Sequence, residues 1–241
     1  MRRPPFSLVV LWAGVLSLAP APGHAAPDTP GPIELRIERD GSPIGTHRIA
    51  FAREGESLVV ETTTRVRVRA LSITIYRYEQ DKHEVWRDGR LVSFESRTDR
   101  DGEETRLRAR AEGEWLVVHG PNGRRVLAPD LVPTGFWDSR LIGRRRLLDS
   151  TDGDVLEVSV IEESPDTIVV NGDAVAARRY RIEGDIERAV WYDAAGRLIK
   201  LRERAEDGST IEHVPAAGAH AGPLNGQAAE PRPRGAPDEA R

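Results

Sequence analysis

Cysteine is absent from this sequence of 241 residues, and aromatic residues make up only 5% of it. Without cysteine the chain forms no disulfides, so its stability has to come from the burial of apolar side chains. Charged residues make up 31% of the chain and hydrophobic residues 39%. This composition is typical of a globular protein with one or two domains, and it excludes a polytopic membrane protein.

The sequence also lacks the short motifs of several enzyme classes. It contains no G-x-S-x-G, no H-E-x-x-H, no P-loop and no G-x-G, so it carries no signature of a serine hydrolase, a zinc protease or a nucleotide-binding enzyme. The histidines form no closely spaced pair of metal ligands. We therefore predict no catalytic residue, no metal site and no cofactor, and an enzyme with an unrecognised site stays a third hypothesis.

The first 25 residues have the features of a signal peptide. Arg2 and Arg3 give a positive start, Phe6–Leu18 is apolar, and small residues precede a cleavage point between Ala25 and Ala26. The apolar run is shorter than the roughly 20 residues that span a bilayer. We predict a periplasmic or secreted protein with no membrane span after cleavage; the alternative is an uncleaved anchor.

Composition divides the rest of the chain into three parts. Residues 26–32 form a short linker, residues 33–214 a single domain, and residues 215–241 a tail rich in Ala, Pro and Gly. Such a tail buries too little apolar surface to fold, so we predict that it is disordered. The formal net charge of −4 gives no reason to expect a nucleic-acid partner.

Turn signals recur every 10 to 15 residues within the predicted domain. Asp-Gly and Asn-Gly dipeptides suit the two-residue turns of β-hairpins, because their backbones tolerate positive φ. The segments between them alternate apolar and polar residues, as in Ile33–Glu38, so that one face is buried. This pattern predicts a mainly β fold, an antiparallel meander of about 11–13 strands.

Two segments depart from this simple alternation. Pro129–Arg146 contains Trp137 and is predicted to be a long connection, with a short helical turn, that crosses the sheet or covers an open end. Leu71–Trp86 carries large apolar residues on both faces, which favours a place in the centre of the sheet. A sheet this wide is expected to curl into a half-barrel or barrel-like shape, its concave side filled by the connection or by a ligand.

Several aromatic residues are candidates for lining a ligand cavity. An acyl chain or a sugar would pack against such rings; the alternative is that the rings fill an ordinary β core. The predicted ligand-binding residues are Tyr76, Tyr78, Trp86, Trp137, Trp191 and Tyr192.

Two strands carry arginine at every second position. Arginine binds phosphate and carboxylate groups through its bidentate fork, and the alternative is an ordinary solvated face. His47 shares a strand face with Ile49, where it is either a proton carrier or a hydrogen-bonded histidine inside the sheet. The predicted anion-binding residues are Arg65, Arg67, Arg69, Arg106, Arg108 and Arg110.

Five stretches of the sequence resemble a bacterial family of domains of unknown function, DUF6134. The resemblance implies export and a curled antiparallel sheet, and it implies no catalytic residue. Where relatives tend to have Tyr-Trp-Asn, this chain has Phe136-Trp137-Asp138 and so carries no amide at the third position. The stretches are Arg39–Phe51, Ile73–Glu103, Pro133–Ser139, Arg146–Val160 and Ala177–Arg202.

We expect a non-enzymatic protein that binds a hydrophobic or amphiphilic molecule of the cell envelope, such as a lipid, in the curled sheet. The alternative is a structural or interaction module that binds a partner protein or a polyanion through the arginine-rich face. The oligomeric state is not predicted.

Overall fold

The structure is a computed structural model, which describes residues 29–70 and 73–218. The predicted signal peptide and the predicted tail beyond residue 218 lie outside the described residues. Within the described ranges, no helix has both the length and the apolar character that a membrane crossing requires.

The described residues form a mainly β fold, which confirms the predicted class. Sixteen strands and one short 3-10 helix (Ser139–Leu141) follow one another along the chain. The strands are β1 (Ile33–Arg39), β2 (Ser42–Glu54), β3 (Ser57–Ala70), β4 (Ile73–Arg87), β5 (Arg90–Arg100), β6 (Glu103–Glu112), β7 (Trp115–Gly120), β8 (Gly123–Leu127), β9 (Val132–Pro133), β10 (Arg146–Leu148), β11 (Val155–Glu162), β12 (Asp166–Val170), β13 (Asp173–Gly184), β14 (Arg188–Tyr192), β15 (Leu198–Arg204) and β16 (Thr210–Pro215).

The hairpin turns form where the Asx-Gly dipeptides predict them. Asp40 has a φ of 47° and Gly41 a φ of 80°. In the turns at Asp88, Asp101 and Asn171, φ is likewise positive at this residue and at the glycine after it. A two-residue turn with positive φ at both positions matches the right-handed twist of the strands on either side. The local sequence therefore sets the register of these hairpins.

The strands form one large curled sheet that does not close. The order across it is β8-β7-β6-β5-β4-β3-β2-β1-β16-β15-β14-β13-β11-β10-β9, and β12 pairs with β13 beyond the end of β11. All pairings are antiparallel except that of β9 with β10. The sheet thus consists of two meanders, joined where the first strand, β1, pairs with the last strand, β16.

The concave side of the sheet holds the main hydrophobic core. The connection between β8 and β10 crosses it, and four buried residues of this connection, Leu131, Phe136, Trp137 and Leu141, pack against inward-facing residues of the sheet. Of the two predicted alternatives, crossing the sheet and covering an open end, the structure shows the first, and the predicted short helical turn lies within the connection. Side chains of the chain itself therefore fill the part of the concave side that the connection crosses.

The expectation that the strand near Leu71–Trp86 lies in the centre of the sheet is wrong. β4 lies between β3 and β5, but the middle of the sheet is the β1–β16 pair. Ile73 and Ile75 are not packed on either face, since they are 69% and 59% exposed. The apolar start of β4 projects from the sheet instead of being buried in it.

Candidate functional site

Polar side chains gather on the concave side of the sheet, next to the apolar core. They come from β2, β3, β4, β5, β14 and β16, and most of them are buried. We call this group the interior polar cluster. Its members are His47, Thr64, Gln80, Lys82, Thr98, Arg188 and His213.

β4 supplies the middle of the cluster because its inward face changes from polar to apolar along the strand. Gln80, Lys82, Glu84 and Trp86 alternate with exposed or half-buried residues and are all buried. Gln80 Nε2 donates a hydrogen bond to Thr98 Oγ1 over 3.0 Å. The strand therefore places an amide, an ammonium and a carboxylate in sequence along the wall of the interior.

Two histidines meet inside the cluster although they are far apart in the sequence. His47 lies on β2 and His213 on β16, on either side of β1, and their ring centroids are 5.1 Å apart with the rings edge to face. His47 Nδ1 is 2.9 Å from Thr64 Oγ1. The geometry of His47 thus matches the second of the two alternatives, a hydrogen-bonded histidine inside the sheet.

Burial keeps both imidazoles uncharged at neutral pH. It lowers the pKa of His213 to about 3, and the nearby cations Arg188 and Lys82 add to this effect. Burial likewise lowers the pKa of His47 well below its usual value, with further contributions from His213 and Lys82. A general base works best when its pKa lies near the operating pH, so burial makes His47 a weak base towards the Thr64 hydroxyl.

Lys82 brings a cation into the cluster. Its side chain is buried, and Nζ donates one long hydrogen bond of 3.5 Å to the carbonyl oxygen of Thr134. Among the described residues no carboxylate lies within 4.0 Å of Nζ. Burial lowers the pKa of Lys82, while Glu84 and Asp149 at longer range oppose that shift.

Arg188 brings a second cation to the same interior. It forms an ion pair with Glu203 on β15, and its guanidinium lies 5.6 Å from the ring centre of Phe136. Arg188 Nε is buried and has no hydrogen-bond partner among the described residues. Burial lowers the pKa of Arg188, and Asp149 and Tyr78 partly offset that effect.

At the other end of the interior, a carboxylate holds the crossing connection in place. Glu84 Oε2 accepts hydrogen bonds from the indole N–H groups of Trp86 (2.8 Å) and Trp137 (3.1 Å). Arg140 lies between the two indoles, 4.2 Å and 4.5 Å from their ring centres. Burial raises the pKa of Glu84, against the effects of Lys82 and of the two indole bonds. These contacts fix the connection to β4.

The structure does not bring the six predicted ligand-binding aromatics together in one cavity. Trp86 and Trp137 are in contact within the core, with ring centroids 6.1 Å apart. Tyr192 is fully buried and donates a hydrogen bond of 3.2 Å to the carbonyl oxygen of Phe136. These three rings therefore pack against the chain itself.

The other three aromatics lie elsewhere. Trp191 belongs to a separate small cluster on the opposite face of β14, where its indole donates to Asp166 Oδ2 over 2.9 Å. Tyr76 and Tyr78 are half-buried, at the end of the interior polar cluster that faces the start of β4. Of the six predicted residues, these two tyrosines are the ones placed beside the cluster.

The six predicted anion-binding arginines lie outside the core and mostly pair with acidic residues of neighbouring strands. Arg65 Nη2 lies 2.7 Å and 2.8 Å from the two carboxylate oxygens of Asp81. Arg67 pairs with Glu79 at 3.4 Å. Arg106 pairs with Glu104 at 2.7 Å, and Arg108 pairs with Glu95 at 3.8 Å. In the described part of the chain, Arg69 and Arg110 have no carboxylate within 4.0 Å.

Two surface cavities lie away from all of these residues. One of about 520 Å³ lies between the 143–145 segment and β11, and one of about 30 Å³ lies beside β1 and β15. In residues 29–70 and 73–218, no group of three or more His, Asp or Glu side chains is placed to hold a metal ion. Neither cavity is lined by a residue of the interior polar cluster.

Sequence reasoning identified His47 but missed Lys82, Arg188 and His213. A signal for Lys82 was present, because a period-two reading of β4 puts it on the same face as Trp86. Arg188 and His213 carry no comparable signal, since their place in the cluster depends on the order of strands in the sheet.

Comparisons with known proteins agree with the fold. The family model described as "Domain of unknown function (DUF6134)" matches residues 35–216. Among solved structures, the chain is similar to the crystal structure of a beta-barrel-like protein of domain of unknown function DUF1849 from Brucella abortus. The TM-score is 0.58 with 15% sequence identity, over 80% of this chain and 98% of that one. No curated protein matches.

Proposed function

The chain belongs to DUF6134, a family of domains of unknown function, and we propose that it is an exported, non-enzymatic binding protein of the cell envelope. In this proposal the interior polar cluster holds the anionic head group, a carboxylate or a phosphate, of an amphiphilic molecule.

The observation that carries this proposal is the poorly paired ammonium of Lys82. A lysine ammonium has three hydrogen-bond donors, and Lys82 uses one of them, at 3.5 Å. A buried charge is costly unless it is paired and hydrogen-bonded. Arg188 adds a buried Nε–H without a partner among the described residues. An anionic group placed between Lys82 and Arg188 would supply acceptors to both.

The packed interior supports a head-group site better than a site for a whole lipid. Trp137 and Leu141 of the crossing connection occupy the space where an acyl chain would lie in an open half-barrel. The half-buried rings of Tyr76 and Tyr78 lie at the near end of the cluster. In the proposal, the apolar part of the ligand packs against these two rings and leaves the interior.

Calorimetric titration of the purified protein with decanoate, decyl phosphate and the uncharged decyl maltoside tests this function. We expect the protein to bind at least one of the two charged ligands and not the maltoside. The Lys82→Met variant should bind roughly tenfold more weakly or worse, because a charge-assisted hydrogen bond is lost.

The only other lysine provides the matched control. Lys200 pairs with Glu212 at 3.0 Å and lies beside Trp191, away from the interior. The Lys200→Met variant should therefore bind like the wild type. Circular dichroism verifies that each variant is folded, and Arg188→Gln serves as the second test if Lys82→Met does not fold. The proposal is wrong if neither charged ligand binds, or if the variants of the cluster bind as tightly as the wild type.

A further inference from the structure

The β3–β4 hairpin extends beyond both of its neighbours in the sheet. β3 and β4 pair with each other as far as Ala70 and Ile73. The pairing of β2 with β3 ends at Val66, and that of β5 with β4 ends at Tyr78. At Arg77 the ribbon is still tied to its neighbour, because the Arg77 N–H donates to Asp101 Oδ1 and the Asp101 N–H donates to the Arg77 carbonyl oxygen. Residues 67–70 and 73–76 therefore form a two-stranded ribbon without a further strand beside it, which we call the hairpin extension.

The hairpin extension exposes large apolar side chains. Ile73 is 69% exposed and Ile75 is 59% exposed. An isolated two-stranded ribbon is marginally stable in water, and bare isoleucine on it adds contact between apolar surface and water. These side chains have no packing role in the sheet, so their exposure points to a surface that binds something.

Arginine is the one charged residue type of the hairpin extension. Arg67 and Arg69 belong to it, Arg77 lies at its base, and residues 67–77 contain no Asp or Glu. Arg67 forms an ion pair with Glu79 at 3.4 Å, and Arg77 forms one with Asp99 at 3.0 Å. These two acidic residues lie on β4 and β5, outside the extension. The extension is thus positively charged although the whole chain carries a formal net charge of −4.

We propose that the hairpin extension docks the protein on an anionic lipid bilayer, with Ile73 and Ile75 inserted among the head groups and the arginines facing lipid phosphates. Isoleucine beside arginine and tyrosine is the composition of a segment that lies in a membrane interface. Basic residues close to an anionic bilayer are attracted to its surface potential.

A protein partner fits this shape less well than a bilayer does. Two paired strands are about 5 Å apart, so the end of the ribbon presents a narrow strip, whereas a stable protein interface buries more than about 1,000 Å². A bilayer surrounds an inserted ribbon on all sides and needs no matching shape. The docked position would also bring Tyr76 and the near end of the interior polar cluster towards the membrane.

Cosedimentation of the full chain with lipid vesicles tests the proposal. We expect binding to vesicles of phosphatidylcholine with 30% phosphatidylglycerol, weak binding to phosphatidylcholine alone, and weaker binding in 0.5 M salt because charges are screened. The double variant Ile73→Ser/Ile75→Ser should lose at least tenfold in affinity for the anionic vesicles.

Val169 on β12 provides a matched control, because it is 65% exposed and lies far along the sheet from the extension. Val169→Ser should bind like the wild type. In a second measurement, the Ile75→Trp variant should show quenching by brominated lipids. The proposal is overturned if anionic vesicles are not bound, or if the double variant binds them as well as Val169→Ser does.

Discussion

Protonation of the two histidines of the interior polar cluster should destabilise the folded protein in mild acid. His213 and His47 face each other at 5.1 Å, and the cations Lys82 and Arg188 lie close to them. A positive charge on either ring would be buried beside the charges of Lys82 and Arg188. Both rings are therefore expected to stay neutral for as long as the protein is folded.

The sign and the size of the effect follow from the pKa of His213. Its pKa is about 3 in the folded protein, against 6.5 for an unperturbed histidine. Between these two values the unfolded chain binds a proton that the folded protein does not, so the free energy of unfolding falls as the pH falls. At pH 5.0 the loss is about 2 kcal/mol for His213 alone. His47 shifts the stability in the same direction.

Urea denaturation followed by tryptophan fluorescence at pH 7.5 and pH 5.0 measures this loss. The His213→Gln variant should lose about 2 kcal/mol less than the wild type between the two pH values, because its side chain does not titrate. His83→Gln is the control, since His83 is exposed on β4. Acidic groups that titrate in this range are common to all three proteins and cancel in the comparison.

Two results would refute this reasoning. The first is an equal loss of stability on acidification in the wild type and in His213→Gln. The second is an NMR titration in which the imidazole of His213 shows a pKa near 6.5, as exposed histidines do. Either result would mean that water or a counter-ion reaches the ring.

Two further predictions concern the core, and urea denaturation at pH 7.5 measures both. Glu84→Ala should lower the free energy of unfolding by about 3 kcal/mol, because two buried indole N–H groups lose their acceptor. Glu84→Gln should lower the free energy of unfolding less. Equal stability of Glu84→Ala and the wild type would contradict this prediction. Gly45→Ala should lower it by roughly 2 kcal/mol, since the added Cβ would lie 2.1 Å from the carbonyl oxygen of Arg65. Gly31→Ala, with nothing within 4 Å, should leave it unchanged, and a similar loss at both glycines would show that the close contact does not matter.

The sequence allowed the strands with strong local signals to be predicted. Alternation in Ile33–Arg39 and turns such as Asp40-Gly41 depend on neighbouring residues alone, so they can be read without knowledge of the fold. The curled shape followed from the number of strands. β8 was missed because Arg124 and Arg125 interrupt its apolar pattern, and the short strands β9 and β10 because they lie at the ends of the proline-containing connection.

The candidate site could not be predicted to the same extent. His47 and His213 are 166 positions apart, and they meet because β2 and β16 both flank β1. No spacing rule within the sequence expresses such an adjacency. Alternation tells which face Trp191 and Tyr192 occupy relative to each other, but it does not tell which of the two faces is enclosed.

The pairing of β1 with β16 also has a consequence for how the chain folds. Each meander can assemble from strands close together in the sequence, but the seam between them joins residues such as Leu35 and Pro215. Closing a loop that long is slow because of its entropy. A chain cut short before β16 would leave β1 and β15 as two bare edges open to aggregation, so the native sheet is completed only once the last strand has been synthesised.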